Sequence, residues 1–497
     1  MVYIIMDEYL DNIFKDIDVN IKLDSEQKKV ILDNSKNMMV IAGAGSGKTT
    51  VITAKVKYLI EIKKIKPEAI LIISFTNKAV SELKERINDD FNLKVEISTF
   101  HSFAYNIVKE NSAKKEIITD NKNILARLIK KDDDTNKIMK YVRKNREYKK
   151  KEKRYNSPIE YFINFTVENF NLYRMKEVKI SRISDKRTCK YVSYLSNLLP
   201  KYNEYMEKNK KIDFEDMIIK AIDIVSNIKL KYEYIIIDEF QDISLNRYLL
   251  VKKISETTNT KTIVVGDDWQ SIYSFAGSDN NLFLNYAKDM NAKIYKITRT
   301  YRNSQELIDL IGNFVMKNNN QIKKKLTSSK RLSNPIVICN IKRNLEIALC
   351  YVIDEIIKVY GINKNILILG RYRKDINSVI GNDFSLKGDK IIYKKEKKVN
   401  ISYLTIHSSK GLGYDNVILI MPNDKVYSFP NNKKEDPIRL FLLPKEQKLM
   451  EERRLFYVAL TRTKNNIYII SFKKNESQFI KEISTNDNVV VKKVKKT

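Results

Sequence analysis

The stretch Ala42-Gly43-Ala44-Gly45-Ser46-Gly47-Lys48-Thr49-Thr50 carries the strongest chemical signal in the chain. The apolar run 38–41 leads into it and a helical pattern from Val51 leads out. A glycine-rich turn between strand and helix aims backbone N–H groups at one point and adds the helix's positive end. Ala44, Gly45, Ser46 and Gly47 therefore read as a cradle for nucleotide phosphates. Lys48 would lie against the β- and γ-phosphates, and Thr49 would offer its hydroxyl to Mg2+, which keeps most of its waters. Ala42 stands where such loops begin with glycine, which predicts a local backbone adjustment. Downstream, the apolar run 234–237 ends in Asp238 and Glu239. One carboxylate can hold Mg2+ and the other can take a proton from attacking water. Gln270, just past the run 262–266, is placed to sense a γ-phosphate. Gln27 precedes the loop on a helix that Asp24 or Ser25 could cap, and its amide, donor beside acceptor, matches the adenine edge. Trp269, Tyr273 and Phe275 are either core aromatics or stacking surfaces that feel nucleotide state.

These residues need a scaffold. The runs 38–41, 69–73, 234–237 and 262–266 have the continuous apolar character of strands buried on both faces of a parallel sheet, with chemistry at their polar ends. Phe75, Thr76 and Asn77 follow one such strand, and Thr99 and His101 another. His101 and His407 are the chain's two histidines, and both fall at polar strand ends. From about 106 to 211 helical periodicity takes over and basic clusters alternate with tyrosines, most densely in 140–155. This is a helical insertion whose basic face is either solvated or in contact with nucleic acid.

With 497 residues the chain has room for two or more domains. Its 92 Lys+Arg against 61 Asp+Glu give a formal net charge of +31, which suggests a polyanionic partner, nucleic acid foremost. Cys189, Cys339 and Cys350 are too few and too scattered for a disulfide framework or a zinc ribbon. Acidic residues arrive too early for a signal peptide, and no apolar run approaches the roughly 20 residues of a membrane span, so a cytoplasmic location without membrane is expected.

Taken in order, AGAGSGKT, SFTNKA, TFHS, DFEDM, IIIDEFQD, GDDWQSIYSFAG, TYRNS, TIHSSKGLGYD and EERRLFYVALTRTK resemble the motif set of superfamily 1A helicases of the UvrD/Rep type. GDDWQSIYSFAGSD is most similar in wording to the helicase IV group. So is the block from Pro430 through Glu435-Asp436-Pro437 and Leu442-Leu443-Pro444 to EERRLFYVALTR. The resemblance runs from Gln27 to about Lys464. It implies an α/β fold of two RecA-like P-loop NTPase domains with parallel sheets. Domain 1A would take 1–105 and 212–292, a helical 1B-like insertion 106–211, and domain 2A 293–497, with 2B absent or vestigial. ATP would bind between 1A and 2A, and single-stranded DNA would cross their top. By the same resemblance Gln27 reads adenine, Tyr301 stacks on the base, Gln270 couples the γ-phosphate to DNA, and Arg302 and Arg462 are arginine fingers from the second domain. Phe75, Thr76, Asn77, Thr99, His101, Tyr273, Phe275, Arg371 and His407 would contact DNA.

The sequence also departs from the family pattern. Thr50 stands where an Arg usually sandwiches adenine, and Gly413 where a Glu meets the ribose, which predicts looser base and sugar selection. Phe275-Ala276 replaces a common Trp-Arg pair. Little chain separates the run 366–369 from Leu404, no nuclease signature follows the last motif, and 490–497 reads as a short basic tail. The expected activity is ATP-dependent 3′–5′ translocation and unwinding on single-stranded or tailed duplex DNA, in repair, recombination or antiviral defence. One alternative is a DNA-sensing, nucleotide-gated subunit controlling a partner nuclease. Another is an RNA polymerase-remodelling factor, which the short stretch before Gln27 disfavours because such factors carry long N-terminal arms.

Overall fold

The computed structural model describes residues 2–15, 17–18, 21–176, 178, 180–421, 428–433, 436–443 and 448–494. Two large sheets organise them. The first contains β1 (Asn37–Ala42), β2 (Ile70–Ser74), β3 (Glu96–Thr99), β4 (Tyr234–Ile237), β5 (Lys261–Gly266) and β6 (Lys293–Ile297). Its order is β3-β2-β4-β5-β1-β6 and every pairing is parallel. Successive strand residues face opposite sides. Met38 and Val40 accordingly pack with Val51, Val56 and Leu59 of the helix Lys48–Glu61, while Met39 and Ile41 pack with Phe100, Phe103 and Met217 on the other face. Burial on both faces is why these strands read as unbroken apolar runs.

Between β3 and β4 the chain is mainly helical. The helices Pro158–Arg174 and Lys186–Lys208 centre this insertion on Phe162, Tyr191, Leu195 and Leu198. Its root is fixed by Arg174, which pairs with Asp213 and Asp216 at 2.5 Å each.

The second sheet contains β7 (Ile336–Ile341), β8 (Ile366–Gly370), β9 (Phe384–Lys387), β10 (Lys390–Tyr393), β11 (Ile401–Thr405), β12 (Asn416–Ile420), β13 (Ile467–Phe472) and β14 (Val489–Lys493). Its order is β9-β10-β11-β8-β12-β13-β7-β14. The sheet is mixed rather than purely parallel, because the hairpin β9–β10 joins it antiparallel to β11. Gly388, at φ 63°, makes the tight turn of that hairpin. This hairpin and the 3-10 turn Arg373–Ser378 occupy the chain between β8 and β11.

Three expectations change. β6, expected in the second domain, completes the first sheet by pairing with β1 from Met38↔Lys293 to Ala42↔Ile297. Of residues 490–497, expected to be a short basic tail, 490–493 belong to β14, which pairs with β7, and 495–497 lie outside the described residues. Ala42 needs no backbone adjustment, since it is still the last residue of β1 and the left-handed turns fall at Gly45 and Gly47.

A crossover segment leaves the second sheet after β12. Its short helix Pro437–Leu442 seats Ile438 and Leu442, both buried, in the core of the helical insertion. Arg187 of the insertion pairs with Asp436 at 2.8 Å, and Lys176 donates to the Phe441 and Leu443 carbonyls at 2.6 and 2.9 Å. Glu435 and Pro444, quoted above in the motif block, lie outside the described residues. Among the described residues no helix is long and apolar enough to cross a membrane.

Candidate nucleotide and nucleic-acid site

The phosphate loop is braced from both ends of the chain. Gln27 is buried, its amide donating to the Ser46 carbonyl at 3.0 Å while its oxygen accepts from the Asp24 N–H at 3.0 Å in a capping box. One amide hydrogen and one lone pair of its oxygen are thus engaged in holding the loop. Thr300 Oγ1 donates to the Ala44 carbonyl at 2.8 Å and the Tyr301 N–H to the Gly45 carbonyl at 3.0 Å. Glycine is required where this brace is closest: a Cβ on Gly45 would come within 2.5 Å of Arg302 Cβ. The helix Lys48–Glu61 then begins with Lys48 and Thr49, with Thr50 beside Gly47.

Opposite the loop, Glu239 adopts a left-handed backbone at φ 53°, a conformation that costs a non-glycine residue ~1–2 kcal/mol. Its carboxylate repays this with partners. Lys48 Nζ lies 2.8 Å from one oxygen, and Gln241 Nε2 donates to the other at 2.5 Å. Burial alone would raise the Glu239 carboxyl, but the Lys48 and Lys410 ammonium groups outweigh burial and hold it down at about 2, an ionised base. Asp238 accepts the Glu239 N–H at 2.9 Å, and burial, then the Glu239 charge, push its carboxyl up. Asp238 and the Thr49 hydroxyl form an oxygen-only donor set, which suits Mg2+. Among the described residues the buried Ser46 hydroxyl and the second Asp242 oxygen have no hydrogen-bond partner, as groups awaiting a phosphate or its hydrated cation would.

The second-sheet side supplies the other wall of a cleft of about 1010 Å³. Arg462 is wholly buried and donates through Nη2 to Gln270 Oε1 at 3.1 Å. Gln270 in turn donates to Asp267 at 2.6 Å, and Asp267 is paired with the buried Lys324. Arg302 faces the same cleft and donates to the Gly411 carbonyl at 3.2 Å; it stands between β6 of the first sheet and the helix Gln305–Val315, whose Leu307, Ile308 and Ile311 pack in the core of the second sheet. Tyr301 is 49% exposed, and its hydroxyl donates to Asp24 at 3.0 Å. Three residues in this wall or floor carried no assignment from the sequence. Lys410 reaches from the second sheet to Asp242 at 2.5 Å and lies 3.7 Å from Glu239. Gln241 ties Glu239 to the Asp267 N–H, which its oxygen accepts at 2.9 Å. Arg247 lines the cleft beyond Asp242. Only Lys410 and Gln241 had a readable signal, their place inside quoted motifs.

With this geometry in view, residues 23–291 match the model of the UvrD/REP helicase N-terminal domain and 372–474 that of the UvrD-like helicase C-terminal domain. The chain belongs to the UvrD/Rep helicase family. DNA helicase IV of Escherichia coli (strain K12) is 26% identical, over 98% of this chain and 73% of that protein. A probable DNA helicase II homolog of Mycoplasma capricolum is 31% identical over 70% of this chain and 49% of that protein. The ATP-dependent DNA helicase Rep of Buchnera aphidicola is 28% identical over 90% of this chain and 68% of that protein. Family membership makes the chain an ATP-hydrolysing enzyme of the DNA-helicase class, with the RecA-like fold that the two sheets display.

The residues expected to meet DNA divide into two groups. Phe75, Thr76, Tyr273 and His407 line the cleft. Phe275, 48% exposed, stands edge-on to His407 at 5.4 Å, and Tyr273 Oη donates to the His407 carbonyl at 3.1 Å. Asn77 is exposed on the turn that Thr76 caps, and Thr99 caps the helix carrying His101. Burial holds both histidines near 4, so the rings are neutral at physiological pH. Arg371 does not join them. It is 7% exposed, ion-paired to Glu452 and stacked 4.5 Å from the Phe429 ring, because the crossover segment begins on top of it: Asn431 N–H also bonds Glu452, at 3.0 Å.

Proposed function

We propose that the protein is an ATP-driven translocase that moves 3′ to 5′ along single-stranded DNA and unwinds tailed duplexes, acting in the cytoplasm in repair, recombination or defence against foreign DNA. The observation that carries this reading is the Lys48–Glu239 pair at 2.8 Å, with Lys410 of the second-sheet side 3.7 Å from the same Glu239 and Arg462 lining the same cleft, bonded to Gln270. In this reading Lys48 and the loop N–H groups hold the β- and γ-phosphates, and the γ-phosphate interrupts the Lys48–Glu239 contact. Glu239, kept ionised by the two lysines, accepts the proton of the attacking water. Thr49 and Asp238 hold Mg2+, which when bound neutralises phosphate charge. Arg302 and Arg462 meet the charge that develops on the transferring group, and Gln270 reports it through Arg462 and Asp267. Closure of the cleft on ATP and reopening after hydrolysis then alternate the grip of Phe75, Tyr273, Phe275 and His407 on the strand. The nuclease-partner and RNA polymerase readings have no residue here that favours them.

Glu239→Gln should lower DNA-stimulated ATP hydrolysis by ~10²–10⁴-fold while leaving nucleotide binding intact. Lys48→Ala should weaken nucleotide binding as well. Wild-type turnover in either variant, measured by phosphate release with and without oligothymidylate, rules the assignment out. A strand-displacement assay with 3′-tailed against 5′-tailed duplex tests the direction.

A further inference from the structure

Arg247 lies in the first turn of the helix Leu245–Thr257, two helical residues past its Ser244 cap. A guanidinium there is next to the positive end of the helix, where an anion would be favoured and a cation is not. It has little to offset this. Among the described residues it forms no ion pair; one nitrogen lies 3.4 Å from His101 Nε2, and the group sits 5.7 Å from the centre of the Phe75 ring. An arginine can only donate, so His101 Nε2 is the acceptor of that contact. Of the acids that act on it at longer range, Asp242 is paired through one oxygen with Lys410 and Glu215 accepts from Asn246. Burial accordingly lowers the affinity of Arg247 for its proton, with Glu215 and Asp242 acting only at longer range. Arg174 makes the contrast: it is buried, and two carboxylates match it. Arg247 is a planar, five-donor group that lines the cleft with most of its donors unspent.

We propose that Arg247 binds one phosphodiester of the single strand, with the Phe75 ring beside it receiving the adjoining base or sugar. A nucleotide phosphate does not suit the place, because the groups that touch Arg247 are an aromatic face and an imidazole rather than the loop N–H groups. Those are the partners a strand of DNA uses, stacking surface next to a phosphate clamp. Arg247 then joins the strand path to the helix that directly follows the Glu239–Asp242 acids, so a shift of those acids during ATP turnover moves a DNA-gripping residue.

This inference rests on the translocase reading, and one titration separates the two. Oligothymidylate binding is followed by fluorescence anisotropy across a salt series for the wild type, Arg247→Gln and Arg247→Lys, with melting curves of each to verify folding. Each phosphate held by a cation contributes ~0.7 to the slope of log affinity against log salt for a single strand. Arg247→Gln should lose about that much slope and bind more weakly at low salt, whereas Arg247→Lys, which keeps the charge, should keep the slope. Equal slopes for wild type and Arg247→Gln overturn the inference alone, as does a slope lost equally in Arg247→Lys and Arg247→Gln. A wild type that does not bind oligothymidylate overturns the translocase reading and this one with it.

Discussion

Across the nucleotide cleft the second-sheet side reaches the first through charged and polar groups: Lys410 to Asp242, Arg462 to Gln270, and Arg454 to the Ser271 carbonyl at 2.5 Å. At the crossover helix Pro437–Leu442 the same side reaches the helical insertion by burying Ile438 and Leu442 in an apolar core. In the first contact Lys410 and Arg462 line the nucleotide cleft, where a triphosphate can recruit them, and the Asp242 and Gln270 oxygens they hold are ones that phosphate oxygens can replace. The second offers a nucleotide nothing. An interface of the first kind is expected to rearrange as ATP binds and leaves, and one of the second kind to persist, since apolar packing responds to area and not to charge. The insertion is covalently part of the first-sheet side yet clamped to the second, so opening of the cleft is expected to drag the insertion along.

Substitutions at three positions break or sharpen this contrast. The largest effect should come from Arg462→Gln on the polar side. In the arginine-finger role proposed for it, its loss should lower turnover by about 10³-fold or more, and phosphate-release assays at saturating DNA would register it. Persisting turnover would move the polar contact out of the chemistry. On the apolar side Ile438→Ala should cost ~2–4 kcal/mol through the cavity it leaves, measured by chemical denaturation. Its signature is a fall in stability and in DNA stimulation of the ATPase, with hydrolysis in the absence of DNA much less affected. Equal loss of both rates would mean that the crossover helix serves the cleft directly and that the contrast fails.

What the sequence disclosed follows the same line between local and distant causes. That Lys48, Thr49, Asp238 and Glu239 line one cleft was legible because each pair follows the end of an apolar strand, and the buried parallel strands announced themselves as apolar runs. β6 was misplaced because Lys-Ile-Tyr-Lys-Ile is no more apolar than a surface strand, and only its register with β1 decides its sheet. Arg371 was misread because its partner Glu452 lies 81 residues away. Gln27 has the right chemistry for adenine, but the Ser46 carbonyl that claims its amide is a tertiary fact. Arg247 had no signal at all: what distinguishes it is the absence of a carboxylate partner, which no motif encodes.

The smallest predicted effect probes the polar side most finely. Gly413 was expected to matter as a missing ribose ligand, and the structure adds a second consequence. A Cβ at this position would stand 3.0 Å from Arg302 Nε and 3.3 Å from its Cζ, so the absence of a side chain is what lets the Arg302 guanidinium lie where it does. The backbone of Gly413 lies outside the left-handed region, so alanine introduces no backbone strain there, and only the guanidinium has to move. Gly413→Ala should therefore lower the catalytic constant by about three- to tenfold, ~1 kcal/mol of transition-state stabilisation, with little change in melting temperature or in the Michaelis constant for ATP. Gly413→Glu should lower it further, because the new carboxylate can pair with Arg302 and draw it from the phosphate. A Gly413→Ala variant with a raised Michaelis constant and an unchanged catalytic constant would instead place this position at the sugar, as the family pattern suggests, and would leave Arg302 free to settle without it.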